Sequence, residues 1–325
     1  ILPGLREGCL GVTHDLITMG RVGVDIYPEQ VGVGLEDVSS FGKFLGGSAT
    51  NVAVAAARLG HRSAVITRTG DDPFGRFVHQ ALQGFGVDDQ WVTAVPGLAT
   101  PVVFCEIFPP DDFPLYFYRG PKAPDLHIGV DDLDYDAIRA AEVFWVTVTG
   151  LSQEPSREAH LAALEARAGH GTTVLDLDYR PMFWDSPEAA TAEIAKALPH
   201  VTVAVGNKEE CRVAVGETEP MAAAKALQAA GIELAIVKQG PAGVLGVRGD
   251  ESVVVPPVPV EVVNGLGAGD AFGGALVHGL LTGSSLTETL AGANAAGSFV
   301  AGQLSCADAM PTVAQLETYL QENGR

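Results

Sequence analysis

The sequence predicts an α/β protein with a mostly parallel central sheet, helices on both faces and a small β-lid. Short apolar runs alternate with helix-like runs from Asp15 onward, the pattern of parallel strands joined by helical crossovers. Residues 32–45 and 101–119 break the alternation with strand-like character and no helix signal, and after Gly265 the pattern is wholly helical.

Taken in order, residues 16–25 read as a buried first strand. Residues 48–59 are Ala-rich, open at a capping-type Ser48 and stop before Gly60, the marks of a helix. Residues 63–69 are strand-like and 74–82 helical. Further strands are expected at 143–149, 173–178, 201–205 and 234–238, with helices between. In the lid, runs 102–108 and 115–118 flank Pro109-Pro110-Asp111-Asp112; an edge hairpin of the main sheet is the alternative. The expected boundaries are a loose tail over 1–14 and one domain over 15–325, with lid segments at about 26–45 and 98–120. Helices close the chain at about 268–281, 286–302 and 313–322.

With 325 residues, 47% of them hydrophobic, the chain can bury a sizeable core. A formal net charge of -20 repels phosphate backbones and argues against a nucleic-acid partner. ATP is not excluded, because local backbone donors and Mg²⁺ can hold phosphates. Cys9, Cys105, Cys211 and Cys306 are scattered and read as free thiols in a reducing, cytoplasmic setting. No apolar run is long enough to cross a membrane. The eight histidines show no metal-site spacing.

The strongest chemical signal is Asn264-Gly265-Leu266-Gly267-Ala268-Gly269-Asp270, between a Val/Pro-rich stretch and a small-residue helix. The glycines let the backbone turn tightly and aim its N–H groups at one point. With the positive end of the helix dipole they form an anion site. Asp270 falls in the first turn, where the dipole favours its ionised form. An ionised Asp can take a proton from a hydroxyl as that oxygen attacks phosphorus. A dinucleotide turn would need a following strand with an acidic end, and only helices follow. A Walker loop would need Gly-Lys-Ser/Thr, which the chain lacks. A plain helix start with small residues for tight packing stays open.

Gly267-Ala268-Gly269-Asp270 joins an ordered set: Asp25, Gly46-Gly47-Ser48-Ala49-Thr50-Asn51, Gly70-Asp71-Asp72-Pro73-Phe74-Gly75, Asn207-Lys208-Glu209-Glu210, and Lys238-Gln239-Gly240 with Gly243. Over residues 15–312 this set resembles the ribokinase-like (PfkB) carbohydrate kinases. The resemblance implies a three-layer αβα fold and ATP-dependent phosphorylation of a sugar. It implies Asp270 as base beside Gly267, Ala268 and Gly269. It places the sugar against Asp25, Gly46, Gly47 and Asn51, and the nucleotide against Asn207, Lys238, Gly240, Gly265, Gly267 and Asn294. Glu210 would hold Mg²⁺ through water, and two copies would meet through the lid. Asn264-Gly265-Leu266 replaces the family's Asp-Thr-Thr, residues that help organise phosphate and monovalent-ion contacts, so a monovalent cation stays open.

Residues 20–25, 116–119, 177–184 and 263–267 further resemble the members that phosphorylate a keto sugar acid of inositol catabolism on its terminal hydroxyl. Such a substrate needs a cation for its carboxylate. Arg119, ending the second lid strand, and Arg180, just past a buried strand, are the candidates, with Lys43 and Arg21 behind them. Asp176 and Asp178 should face one side of their strand, one of them orienting Arg180. Tyr116, Phe117 and Tyr118 are expected to pack the lid or a lid–lid contact. Three functions remain: a sugar-acid kinase, a kinase for another sugar or nucleoside, and a non-catalytic binding protein.

Overall fold

A computed structural model of the chain describes residues 13–324; most of the expected tail, and Cys9 with it, lies outside these. β1 (Leu16–Met19) is followed by β2 (Gly23–Pro28), β3 (Phe41–Gly46), α1 (Ser48–Arg58), β4 (Ser63–Gly70), α2 (Pro73–Phe85) and β5 (Val92–Val95). β6 (Val102–Cys105) and β7 (Leu115–Tyr118) form a hairpin. Then come α3 (Tyr135–Ala140), β8 (Val143–Thr147), α4 (Ser156–Arg167), β9 (Thr172–Asp176), α5 (Pro187–Ala197), β10 (Val203–Asn207), α6 (Lys208–Val215), α7 (Pro220–Ala229) and β11 (Leu234–Lys238). β12 (Val244–Arg248) and β13 (Glu251–Val255) precede α8 (Ala268–Thr282), α9 (Leu286–Ala301) and α10 (Val313–Glu322).

Among the described residues the strands make two sheets. The larger runs β13-β12-β11-β10-β9-β8-β1-β4-β5, and the smaller runs β3-β2-β6-β7. The large sheet is parallel from β11 to β5, and β12 and β13 add an antiparallel edge. Alternate strand residues feed opposite cores, because successive side chains point to opposite faces. Val143 and Trp145 pack with α1, α8 and α9, whereas Phe144 and Val146 pack with α4 and α5. The expected α/β layering holds, and the runs at 32–45 and 101–119 belong to a separate lid sheet rather than to an edge of the main one.

Residues 16–25 are not one strand. β1 ends at Met19 and β2 belongs to the lid. Gly20 makes the break: a Cβ there would lie 2.9 Å from both Ala49 Cβ and Thr147 Oγ1, so the chain turns where only glycine fits. Asp25 therefore sits inside a lid strand. The strand expected over 173–178 stops at Asp176, and the strand-like stretch before the glycine turn is regular only to Val255. His14, placed in the tail by the sequence reading, is buried, its Nε2 3.0 Å from Asp88 Oδ2.

The Gly70–Gly75 turn ties the lid to the core. Asp72 caps α2 by accepting from Gly75 N (2.7 Å), and also accepts from Thr100 N (2.7 Å) and Thr100 Oγ1 (2.8 Å) just before β6. On the opposite side, α8 lies directly on α1 and β8. A Cβ on Gly273 would sit 2.8 Å from the Trp145 ring, and one on Gly274 would collide with Ala55. Gly274→Ala should therefore destabilise the protein by about 1–3 kcal/mol through overpacking, against a helix-propensity gain of about 1 kcal/mol. Urea unfolding measures this, and a variant as stable as the parent would contradict the close packing.

Candidate active site

The carboxyl ends of parallel strands are where open α/β sheets bind ligands, and the lid covers them here. A cleft of ≈ 60 Å³ lies between lid and sheet. β2 supplies Asp25 and Tyr27, β7 supplies Phe117, α1 supplies Asn51, and α8 supplies Asp270. Arg21, Gly47, Arg180, Leu266, Gly267 and Cys306 complete most of its wall. Gly46 and Gly47 are needed for close approach. A Cβ on Gly46 would collide with the Asp25 carboxylate, and Gly47 holds φ 104 against the Arg21 carbonyl.

Asp270 stands half-buried in the first turn of α8, with Gly267 as N-cap at φ 81. Asn51 Nδ2 donates to Asp270 Oδ2 at 2.8 Å, and Asn51 Oδ1 is buried with no partner among the described residues. Burial pushes the Asp270 carboxyl up to about 6, with the Asn51 hydrogen bond pulling the other way. The expected preference for the ionised form, drawn from the helix dipole, is thus outweighed by burial, although Asp270 is still mostly ionised at pH 7. On the lid side, Tyr27 Oη donates to Asp25 Oδ2 (2.7 Å) and lies 2.8 Å from Cys306 Sγ. Burial raises the Asp25, Tyr27 and Cys306 side chains above their ordinary values.

A buried charge cluster backs the cleft. Asp178 accepts from Ser48 Oγ (2.8 Å), pairs with Arg180 (2.8 Å) and lies 3.6 Å from Arg21. Burial opposes its ionisation, but these neighbours outweigh burial and hold it well below the usual carboxylate range. Asp176 goes the other way, raised by burial and by Asp178, Glu210 and Asp270, with Lys238 only partly compensating. Asp178 is the carboxylate that orients Arg180.

A second, largely apolar cavity of ≈ 350 Å³ adjoins the start of α8. Lys238, Gly240, Ala268, Gly269 and Asn294 line it with Phe272, Val244 and Val260. Lys238 Nζ is close enough to lie 3.6 Å from a Cβ built on Gly269. Asn294 Nδ2 donates to the Val255 and Pro256 carbonyls at 3.1 Å each. Gly265 faces the lid instead, where a Cβ would lie 3.0 Å from the Phe113 ring. A larger cavity of ≈ 520 Å³, beside the starts of α4 and α5, holds none of the candidate residues.

Several candidates have other engagements. Arg119 pairs with buried Asp125 (2.7 Å), its guanidinium 5.0 Å from the Phe183 ring centroid, and does not line the cleft. Lys43 is exposed, with its Nζ 3.8 Å over the Phe77 ring. Asn207 and Glu210 cap α6 reciprocally: Asn207 N donates to Glu210 Oε2 (2.6 Å) and Glu210 N to Asn207 Oδ1 (2.9 Å). Asn264 serves its own loop, donating to the Leu304 carbonyl (2.7 Å) and accepting from Leu266 N (3.0 Å). Phe117, expected to pack the lid or a lid–lid contact, lines the cleft. On β7 it points inward with Leu115, while Tyr116 and Tyr118 point outward. Tyr27 was missed, although it is two residues from Asp25 on one strand and so shares its face. For Cys306 the sequence holds no signal.

A profile of the pfkB family carbohydrate kinases matches residues 13–313. The chain is 33% identical over 314 residues to 5-dehydro-2-deoxygluconokinase of Geobacillus thermodenitrificans, covering 94% of this chain and 93% of that one. It is 35% identical over 315 residues to the protein of the same name from Photobacterium profundum, covering 94% and 95%. Among solved structures it is similar to a double mutant of fructokinase from Vibrio cholerae O395 with fructose, ADP and potassium ion bound. That likeness has a TM-score of 0.83 at 26% identity, over 95% and 99% of the two chains. A ribokinase II from E. coli in complex with ATP and Mg²⁺ shares the fold, with a TM-score of 0.86 at 23% identity over 95% and 99%.

The site costs stability when Asp270 is charged. The folded-state value of Asp270, about 6, exceeds its ordinary 3.8. The penalty is absent below that ordinary value, grows as pH rises toward the folded-state value, and is complete above it. Asp270→Asn should therefore raise the melting temperature at pH 8 and lose that gain near pH 4. A gain of equal size at both pH values, or none at either, would contradict the burial of this carboxylate.

Proposed function

The chain belongs to the pfkB family of carbohydrate kinases, and from that premise we propose that it phosphorylates a keto sugar acid, 5-dehydro-2-deoxygluconate, to its 6-phosphate. It is an ATP-dependent sugar kinase of that family; the acid is the finer reading. The observation that carries it is the Asn51–Asp270 hydrogen bond at the meeting of a polar cleft and an apolar cavity. The first has the polar walls suited to a sugar, with the lid closed down to ≈ 60 Å³ over it, and the second has the apolar walls and ≈ 350 Å³ suited to an adenine ring. Support for an acid comes from Arg180 in the cleft wall and from the two relatives of that name.

In this reading Asp25 and the open Asn51 Oδ1 hold sugar hydroxyls, and the terminal hydroxyl points at Asp270. Asp270 takes the hydroxyl proton on a carboxylate oxygen as the oxygen–phosphorus bond forms, and the bond to the leaving ADP oxygen breaks. The amides of Gly267, Ala268 and Gly269, with Lys238, face the charge on the transferred group. Gly240 and Asn294 border the nucleotide base. The lid excludes water, which limits ATP hydrolysis.

Among the described residues no group of three His, Cys, Asp or Glu could cage a metal. Mg²⁺ keeps waters and phosphate oxygens and takes only one or two carboxylates. Glu210 is the carboxylate proposed to hold it through water, with Asn207 beside it; bound there, Mg²⁺ would neutralise phosphate charge. Potassium is bound in the fructokinase relative; in this chain the Asn264 side chain is hydrogen-bonded within its own loop. Phe41, Tyr116 and Tyr118, exposed on the lid, are the proposed face for a second copy. No described helix is long and apolar enough to cross a membrane.

The fructose-bound relative favours a second reading, a neutral ketose as substrate. A coupled assay of ADP release over a sugar panel decides between them. The acid should exceed fructose in kcat/KM by about 100-fold, as expected for one charged hydrogen-bonded pair that only the acid makes. Preference for fructose would reject the acid, and no sugar-dependent ADP release would leave only a binding protein. In the same assay Asp270→Asn should lower kcat by about 10³-fold, as loss of a general base does, with nucleotide affinity nearly unchanged. Undiminished turnover would remove Asp270 from the mechanism.

A further inference from the structure

Arg21 lies in the three-residue link between β1 and β2, where the chain leaves the central sheet for the lid. Its backbone is fixed there. The Arg21 carbonyl accepts from Thr50 Oγ1 (3.2 Å), and Gly47 packs against it. The side chain is 11% exposed and enters the cleft wall. The guanidinium nevertheless has only one acceptor within ion-pair range among the described residues, Asp178 Oδ2 at 3.6 Å, and its Nε is buried without a partner. A guanidinium offers five donors in a planar fork, and buried donors left unused are costly.

Asp178 cannot serve it fully, since Arg180 and Ser48 already hold that carboxylate at 2.8 Å. Asp25, the lid carboxylate that also faces Arg21, is held by Tyr27 Oη. Two guanidiniums thus share one carboxylate, and the Arg21 fork is left with unused donors in a cleft wall that also carries Asp25 and Asp270. The Phe117 ring, its centroid 5.8 Å from Arg21 Cζ, flanks the group in the cleft wall. Arg119 has no such freedom, because removing it from Asp125, itself 3% exposed, would bare a buried carboxylate.

We propose that Arg21, with Arg180 beside it and without Arg119, grips the carboxylate of the substrate and makes the enzyme selective for a sugar acid. This rests on the sugar-acid reading above. A carboxylate presents two coplanar oxygens that match the fork, whereas a neutral sugar offers it only single uncharged acceptors. Because Arg21 sits at the hinge, an acid bound there joins core and lid through its own charge.

The test compares wild type, Arg21→Met, Arg21→Lys and Arg119→Met, with ADP binding by calorimetry as the check on folding. Each is assayed with 5-dehydro-2-deoxygluconate and with fructose, and calorimetric Kd values for the acid are measured in the presence of ADP. In Arg21→Met the Kd for the acid should rise about 100-fold, as expected for loss of a charged hydrogen-bonded pair. The loss should appear in KM more than in kcat, and the acid-over-fructose ratio should fall with it. Arg21→Lys, which keeps the charge but not the fork, should lose about 10-fold and carries the test if Arg21→Met does not fold. Arg119→Met should lower stability and leave the ratio alone.

An unchanged Kd for the acid in an Arg21 variant that binds ADP overturns the proposal. So does an equal fall of kcat with both sugars, which would place Arg21 on the transferred phosphoryl group. A wild type that binds and phosphorylates no acid defeats the sugar-acid reading itself, and is told apart from the other failures because it appears before any variant is made.

Discussion

The site depends on how closely α8 can lie against α1 and β8. Gly273 and Gly274 remove the side chains that would hold these elements apart, one against Trp145 and the other against Ala55. The result is a hydrogen bond of 2.8 Å between Asn51 on α1 and Asp270 on α8. Asp270 is thereby set at a boundary, with a polar cleft under the lid on one side and an apolar cavity along α8 and α9 on the other. In the proposed reaction, the two substrates would approach from these two sides and meet at one carboxylate.

That position explains the electrostatics. A helix N-terminus favours a negative charge by less than about 1 kcal/mol at an exposed site, while burial of a carboxylate works against ionisation more strongly. Burial wins at Asp270 and leaves a group whose proton affinity lies nearer neutrality than that of an ordinary Asp. A base of that kind can accept a proton during phosphoryl transfer and release it afterwards. The neighbouring cluster divides its charge unequally: Asp178 is kept ionised by Arg180, Arg21 and Ser48, and Asp176 is pushed toward its neutral form. The protein so avoids packing several uncompensated carboxylates into one place.

Much of this was legible in the sequence, because its causes are local. The helix over 313–322 was placed at its observed bounds, since Thr312 caps it with Gln315 in reciprocal hydrogen bonds. The parallel strands appear as apolar runs because both their faces are buried. The glycine turn is visible because its backbone needs it. What was not legible depends on partners distant in the fold. Gly20 looks like any glycine until Ala49 and Thr147 crowd it. From sequence, Arg119 ranks ahead of Arg21 as a partner for an acid; Asp125 occupies the first, and nothing among the described residues fully occupies the second. Asn207 and Glu210 carry the residue types of a phosphate-site motif and also those of a helix cap, and the structure has them bonded to each other.

The central claim is that one backbone turn collects the charge of the transferred phosphoryl group while Asp270 collects the proton. A crystal structure with a non-hydrolysable ATP analogue and the sugar acid tests it most directly. The terminal phosphorus should lie over the amides of Gly267, Ala268 and Gly269, with the acceptor hydroxyl between it and the Asp270 carboxylate at hydrogen-bonding distance. A terminal phosphate bound away from that turn, or a hydroxyl facing some other residue, would contradict the account.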